Sequence, residues 1–149
     1  MVHAALFDLG CTLMHERGPW ESILENADRA LANTLRDNGF PLDSKLFRKR
    51  LHEYYARRDK DHFETTYHFV LRALLSELGY GDVPESIIRS ALDALFSITQ
   101  SNWQIEEDAI PTLEGLKSKG YKLGILSNAG DDKDVQQLVE GFRIHTYFD

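Results

Sequence analysis

Asp8 stands at the end of an unbroken apolar run, Ala4-Ala5-Leu6-Phe7, after which the chain turns at once through Leu9, Gly10, Cys11 and Thr12. A carboxylate so placed can attack phosphorus or carbon covalently, and the amides of the turn behind it can form a nest for an anion. A second apolar run, Tyr121-Lys122-Leu123-Gly124-Ile125-Leu126, leads into Ser127 and Asn128, and a serine hydroxyl can hold a phosphoryl oxygen. If the two runs are neighbouring parallel strands, Asp8 and Ser127 reach the same carboxyl edge, where open α/β sheets bind ligands. The plainer alternatives are a turn aspartate bonded to its own backbone, and a Ser127-Asn128 pair that caps the helix behind it.

The rest of the chain must position these groups. The first run has no polar interruption, which predicts a strand covered on both faces. Trp20, Ile23, Leu24, Ala27, Leu31 and Leu35 recur at spacings of three and four and predict a helix closing at Gly39. Asp43 or Ser44 can cap a second helix carrying Leu46, Phe47, Leu51, Tyr54 and Tyr55, which fades into the charged run Arg57–Asp61. Thr65 or Thr66 opens a third helix through Leu78, and Pro84 a fourth that carries Ile87, Ile88, Ala91, Leu92, Leu95 and Phe96. A short helix from Pro111 to Gly120, the second strand and a helix over 132–140 complete the pattern. The fold class expected is α/β: a partial Rossmann-like parallel sheet core built from residues 1–18 and 101–149, with four helices, residues 19–100, inserted after the first strand.

Composition narrows the class of function. A formal net charge of −7 is a poor footprint for holding a polyanion, so nucleic acid is not an expected partner. Cys11 is the single cysteine, which rules out an internal disulfide and fits a reducing compartment. The apolar stretches are interrupted by charges such as Arg72, so no membrane partner is expected and the location expected is cytoplasmic. Cys11 reads as a small packed residue, and His15, Glu16 and Arg17 as a solvated loop that could alternatively supply an acid near Asp8. His3, His52, His62, His68 and His145 lack metal-ligand spacing. The Arg48-Lys49-Arg50 and Arg57-Arg58 clusters read as helix surface, with one arginine available to an anionic substrate.

Phe7-Asp8-Leu9-Gly10-Cys11-Thr12-Leu13 resembles motif I of the haloacid dehalogenase-like hydrolase superfamily, and Leu123-Gly124-Ile125-Leu126-Ser127-Asn128 resembles its motif II. The helical insert is similar in place and size to that family's C1 cap, and Ile110–Lys117 resembles the segment re-entering the core. The resemblance implies a small-molecule phosphorylated or halogenated substrate and an Asp8 nucleophile that also ligates Mg2+. It further implies a metal contact from the Gly10 carbonyl and a phosphate-binding set of Leu9, Gly10, Thr12, Ser127 and Asn128.

Two departures qualify it. Most phosphatases of the family have an aspartate two positions after the nucleophile as general acid and base, a role typically worth about 10²–10⁴-fold, and here that position is Gly10. The family's later lysine and acidic motifs lie beyond Asp149, so the expectation is a fragment or truncated product of a longer hydrolase, with open sheet edges that invite self-association. Three functions follow: a Mg2+-dependent phosphomonoester hydrolase, a metal-independent 2-haloacid dehalogenase, disfavoured because those enzymes typically carry an aromatic residue at the Gly10 position, and a non-catalytic phosphate-binding module.

Overall fold

A computed structural model describes residues 3–62 and 65–149, apart from the side chains of Arg58 and Asp59. The chain forms two compact units, one of Pro19–Ser101 and one of Met1–Gly18 with Asn102–Asp149. The helical unit holds α1 (Trp20–Asp37), α2 (Ser44–Asp61), α3 (Tyr67–Glu77) and α4 (Glu85–Gln100). Its core joins Leu31 and Leu35 of α1, Phe47 of α2, Leu71 and Leu74 of α3, and Ile88, Leu92 and Leu95 of α4, all essentially inaccessible. These residues fall on the three-and-four spacing of their helices, so each helix turns one apolar stripe inward.

The ends of these helices follow from local chemistry. Asp43 accepts from the Leu46 N–H at 2.8 Å, and Thr66 accepts from the Phe69 N–H at 3.2 Å, each satisfying an amide that the first helical turn leaves open. Gly39 and Gly79 take φ of +87° and +85°, where a Cβ would be strained. That geometry lets Phe40 N–H reach the Leu35 carbonyl and Tyr80 N–H the Leu75 carbonyl, the six-to-one bond of a Schellman end. The two aromatic rings placed by these ends meet edge to face, 6.0 Å between centroids. Arg48 donates to the buried Asp28 at 2.7 Å and to the exposed Glu21 at 2.8 Å. Burial pushes the Asp28 carboxyl above the usual range, against the lowering influence of Arg48.

The other unit carries β1 (Ala4–Phe7), β2 (Met14–Glu16), β3 (Trp103–Ile105), α5 (Ala109–Ser118), β4 (Lys122–Ile125) and α6 (Asp132–Gly141), followed by a single 3-10 turn at His145–Tyr147. β1 and β4 pair in parallel, with Ala5 opposite Leu123 and Phe7 opposite Ile125. Those four residues pack against Leu113 of α5, Leu138 of α6 and Ile144, so this face is covered. The opposite face is not: Leu6 is 68% exposed, and Leu126, just past β4, is 72% exposed. The expectation of a first strand covered on both faces therefore fails, because α5 and α6 contribute their apolar residues to one cluster on one side.

Three further details differ from the sequence reading. α5 begins at Ala109 rather than Pro111, since a proline fits in a first turn whose N–H groups have no partner inside the helix. His15 and Glu16 are not a solvated loop but part of β2, which pairs antiparallel with β3: Met14 opposes Ile105, His15 opposes Gln104 and Glu16 opposes Trp103. Asp149 is tied to β4, its N–H donating to the Leu123 carbonyl and its carboxylate accepting from the Leu123 N–H, both at 2.9 Å. That backbone donor, with Lys117 behind it, holds the Asp149 carboxyl below the usual carboxylate range. Among the described residues, no helix is long and apolar enough to cross a membrane.

Candidate active site at the carboxyl edge of β1 and β4

β1 delivers Asp8 to a turn built almost wholly from its own backbone. The Leu9 carbonyl accepts from the N–H groups of Leu13 at 2.9 Å, Met14 at 3.1 Å and Thr12 at 3.3 Å, and Cys11 N–H donates to the Met14 carbonyl at 2.8 Å. Leu9, Leu13 and Met14 are buried in the core cluster, which anchors the turn from beneath. Asp8, Cys11 and Thr12 remain exposed. The Asp8 carboxylate accepts from the Leu9 N–H at 2.7 Å through Oδ1, which leaves Oδ2 directed at no described donor. The turn-aspartate contact and a nucleophilic role are thus compatible, one oxygen serving each. The anion nest is narrower than the sequence suggests, because the amides of Leu9, Cys11, Thr12, Leu13 and Met14 already have partners.

Cys11 is exposed and carries a free thiol, so it is not the packed residue expected. Its φ is +56°, the left-handed region that disfavours a residue with a Cβ by roughly 1 kcal/mol. Cys11→Gly should therefore raise stability by up to about 1 kcal/mol, read as a higher urea midpoint at unchanged slope; an unchanged or lower midpoint would show that the turn stores no such strain.

On the other strand, the Leu126 N–H donates to the Phe7 carbonyl at 2.9 Å, carrying the ladder one residue past β4. Asp8 and Ser127 consequently leave the sheet at the same edge. Ser127 is partly buried and Asn128 exposed. Neither caps α6, because Asp131 does so, its side chain accepting from the Asp134 N–H at 3.1 Å. The bland explanation for the Ser127-Asn128 pair is thereby removed.

Sequence reasoning missed the ribbon of β2 and β3. Trp103 reaches Gly10: a Cβ built on that glycine would lie 3.6 Å from the indole Cη2. On the other face of the ribbon, His15 Nδ1 lies 2.7 Å from Glu106 Oε1, its Nε2 meets the Gln104 amide, and Arg17 donates to Gln104 Oε1 at 3.1 Å. Pairing across almost ninety positions of chain leaves no local signal in strands of three residues, so only the isolated residue types were visible beforehand.

The described arginines of the basic clusters find partners within the helical unit. Arg48 holds Asp28 and Glu21, Arg50 pairs with Glu53 and Glu77, and Arg57 stacks on Tyr54. The side chain of Arg58 lies outside the described residues. His68 pairs with Glu85 at 2.7 Å. Among the described residues, no three His, Cys, Asp or Glu side chains converge as a metal centre.

The family model for haloacid dehalogenase-like hydrolases matches residues 28–149. The chain belongs to this family. The matched span begins after the Asp8 turn. A curated relative, the glyceraldehyde 3-phosphate phosphatase of Methanothermobacter thermautotrophicus, is 27% identical over the whole chain, which spans 61% of that protein. The structure of a 2-haloacid dehalogenase from Pseudomonas syringae pv. tomato is similar over 99% of the chain and 62% of its own length, at 25% identity and a TM-score of 0.64. A predicted phosphoglycolate phosphatase from Haemophilus somnus shares the fold at 17% identity and a TM-score of 0.50, over 99% of this chain and 60% of that one. The haloacid dehalogenase-like chain thus spans about three-fifths of the relatives it matches. Its mixed α/β architecture, with six helices and a small parallel sheet among the described residues, agrees with the fold of that family.

Proposed function

We propose that this chain carries the nucleophile half of a phosphomonoester hydrolase, with residues 19–100 as its cap. The observation that supports this reading most is the in-register parallel pairing of β1 and β4, which sends Asp8 and Ser127 out at one edge. Asp8 attacks phosphorus with a carboxylate oxygen, the bond from phosphorus to the ester oxygen breaks, and the leaving group departs with the electron pair. Ser127 donates to a phosphoryl oxygen, Asn128 orients the group, and Thr12 braces the turn. Water then attacks phosphorus, releasing inorganic phosphate and restoring the carboxylate.

The Asp8 carboxylate and the Gly10 carbonyl are hard oxygen donors of the kind Mg2+ takes when substrate phosphate and water complete its shell. When bound, that ion would neutralise charge on the phosphoryl oxygens. The chain's own contribution is narrower: Asp8 supplies the bond-forming oxygen, the buried Leu9, Leu13 and Met14 fix the turn, and Gly10 can move no proton.

The similarity to a 2-haloacid dehalogenase keeps a second reading in play, in which Asp8 forms an ester at carbon and expels halide without a metal. The discriminating experiment incubates the protein with p-nitrophenyl phosphate and, separately, with 2-chloropropionate, each with Mg2+ or with EDTA. Phosphate release that requires Mg2+ is the expected result. Halide release that persists in EDTA would favour the dehalogenase, and binding of beryllofluoride with turnover of neither substrate would favour a non-catalytic module.

A further inference from the structure

Gly10 leaves two gaps at once: it offers no proton to a leaving group, and it carries no side chain to shape the space beside the nucleophile. The structure fills the second from elsewhere. Trp103, on β3, brings its indole Cη2 to 3.6 Å from where a Cβ on Gly10 would stand, an ordinary van der Waals distance. The contact is held from both sides, because Gly10 bridges to Met14 and Met14 sits in the ribbon opposite Ile105, with Trp103 opposite Glu16. Met14 is 1% exposed and pins the ribbon to the core, whereas the indole is only partly buried. An aromatic surface therefore adjoins the Asp8 turn at the very position where this chain lacks a side chain of its own.

The two consequences of Gly10 point to one class of substrate. With no proton donor at position 10, departure is easiest for a leaving group stable as its anion, and a partly exposed indole beside the turn prefers a flat, polarisable group packed edge-on or offset. Resting on the phosphomonoester hydrolase reading, we propose that Trp103 is a specificity-determining residue that selects phosphate esters with aromatic leaving groups over alkyl ones. In the reaction the aryl group leaves as an aryloxide, takes its proton from water and needs none from the protein.

The test compares the wild-type chain with Trp103→Leu, which keeps apolar bulk without a ring, and Trp103→Phe, which keeps a ring. KM and kcat are measured on a series of aryl phosphates and on glycerol 2-phosphate, and beryllofluoride binding, which involves the Asp8 turn but no leaving group, reports whether the turn is intact. Expected are a wild-type preference for aryl esters, a KM for aryl phosphates raised roughly two- to tenfold in Trp103→Leu, recovery of most of that loss in Trp103→Phe, and unchanged constants for glycerol 2-phosphate and for beryllofluoride. Equal losses on aryl and alkyl esters, weakened beryllofluoride binding in Trp103→Leu, or no change in any constant would each overturn the assignment while leaving the hydrolase reading intact. If the wild type releases no phosphate and binds no beryllofluoride, the hydrolase reading fails and this inference fails with it.

Discussion

Asp8→Asn should abolish phosphate release while leaving the fold intact. The substitution keeps the size of the side chain and an oxygen able to accept from the Leu9 N–H, the one hydrogen bond the carboxylate makes among the described residues, so the turn loses little. What it removes is the anionic oxygen that forms the bond to phosphorus. Loss of a covalent nucleophile lowers kcat by up to about 10⁶-fold in well-studied hydrolases, and on the order of 10⁴-fold or more is expected here. The variant should still bind beryllofluoride poorly, because that mimic needs the carboxylate, yet unfold at nearly the wild-type urea concentration. Turnover retained within tenfold of wild type would take Asp8 out of the mechanism and return it to the role of a turn residue.

The second large effect concerns stability. Arg48→Met removes the partner of Asp28, whose side chain is 4% exposed while that of Arg48 is 22% exposed. Stripping the partner from a buried charge typically destabilises by about 3–5 kcal/mol, and the partial exposure of the Arg48 end puts the expectation near the lower limit, about 3 kcal/mol at pH 7. The pH dependence fixes the sign. Burial already raises the folded-state value of Asp28 above its usual 3.8, so only between the two values does the folded chain bind a proton that the unfolded chain has lost. The contribution of that group is greatest below the usual value and declines as pH rises through the interval up to the raised one. Without Arg48 the interval widens, and the penalty at pH 7 should shrink steadily as the solution is acidified towards pH 4, where a neutral carboxyl needs no cation. Urea unfolding of Arg48→Met at several pH values checks this, with Asp28→Asn as the control that should show a smaller, pH-independent loss. A penalty for Arg48→Met that stays constant from pH 7 to pH 4 would mean that packing of the arginine stem, and not the charge, is what the pair contributes.

The helices of this chain were legible because each carries its own evidence. Leu31 and Leu35, Leu71 and Leu74, and Leu92 and Leu95 sit at helical spacing between recognisable ends, and caps such as Asp43 and Thr66 act on amides within three residues. The parallel partnership of β1 and β4 was legible for a different reason: two short apolar runs, each ending in polar residues, have few ways to share a sheet across a helical insert. What failed depends on distant partners. Whether Leu6 is covered is decided by α5 and α6 siding together, and the strand character of His15 is decided by Gln104; neither leaves a trace in the neighbouring sequence. The site divides in the same way. That Asp8 and Ser127 leave the sheet at one edge follows from the two apolar runs, whereas the positive φ of Cys11 and the approach of Trp103 to Gly10 had no such signal.

The short ribbon of β2 and β3 has one more bearing on the molecule. The Arg17 N–H donates to the Asn102 carbonyl at 2.6 Å, so the chain leaves for its helical excursion and returns from it within a single hydrogen bond. For β1 and β4, everything between is a closed loop whose entropy must be spent before the first interstrand bond can form. The helices of the excursion depend on nearer contacts and should gain structure earlier in refolding, with the parallel pair locking last. Replacing residues 19–101 by a tight turn would shorten that search, and should speed formation of the sheet without altering which of its residues face one another.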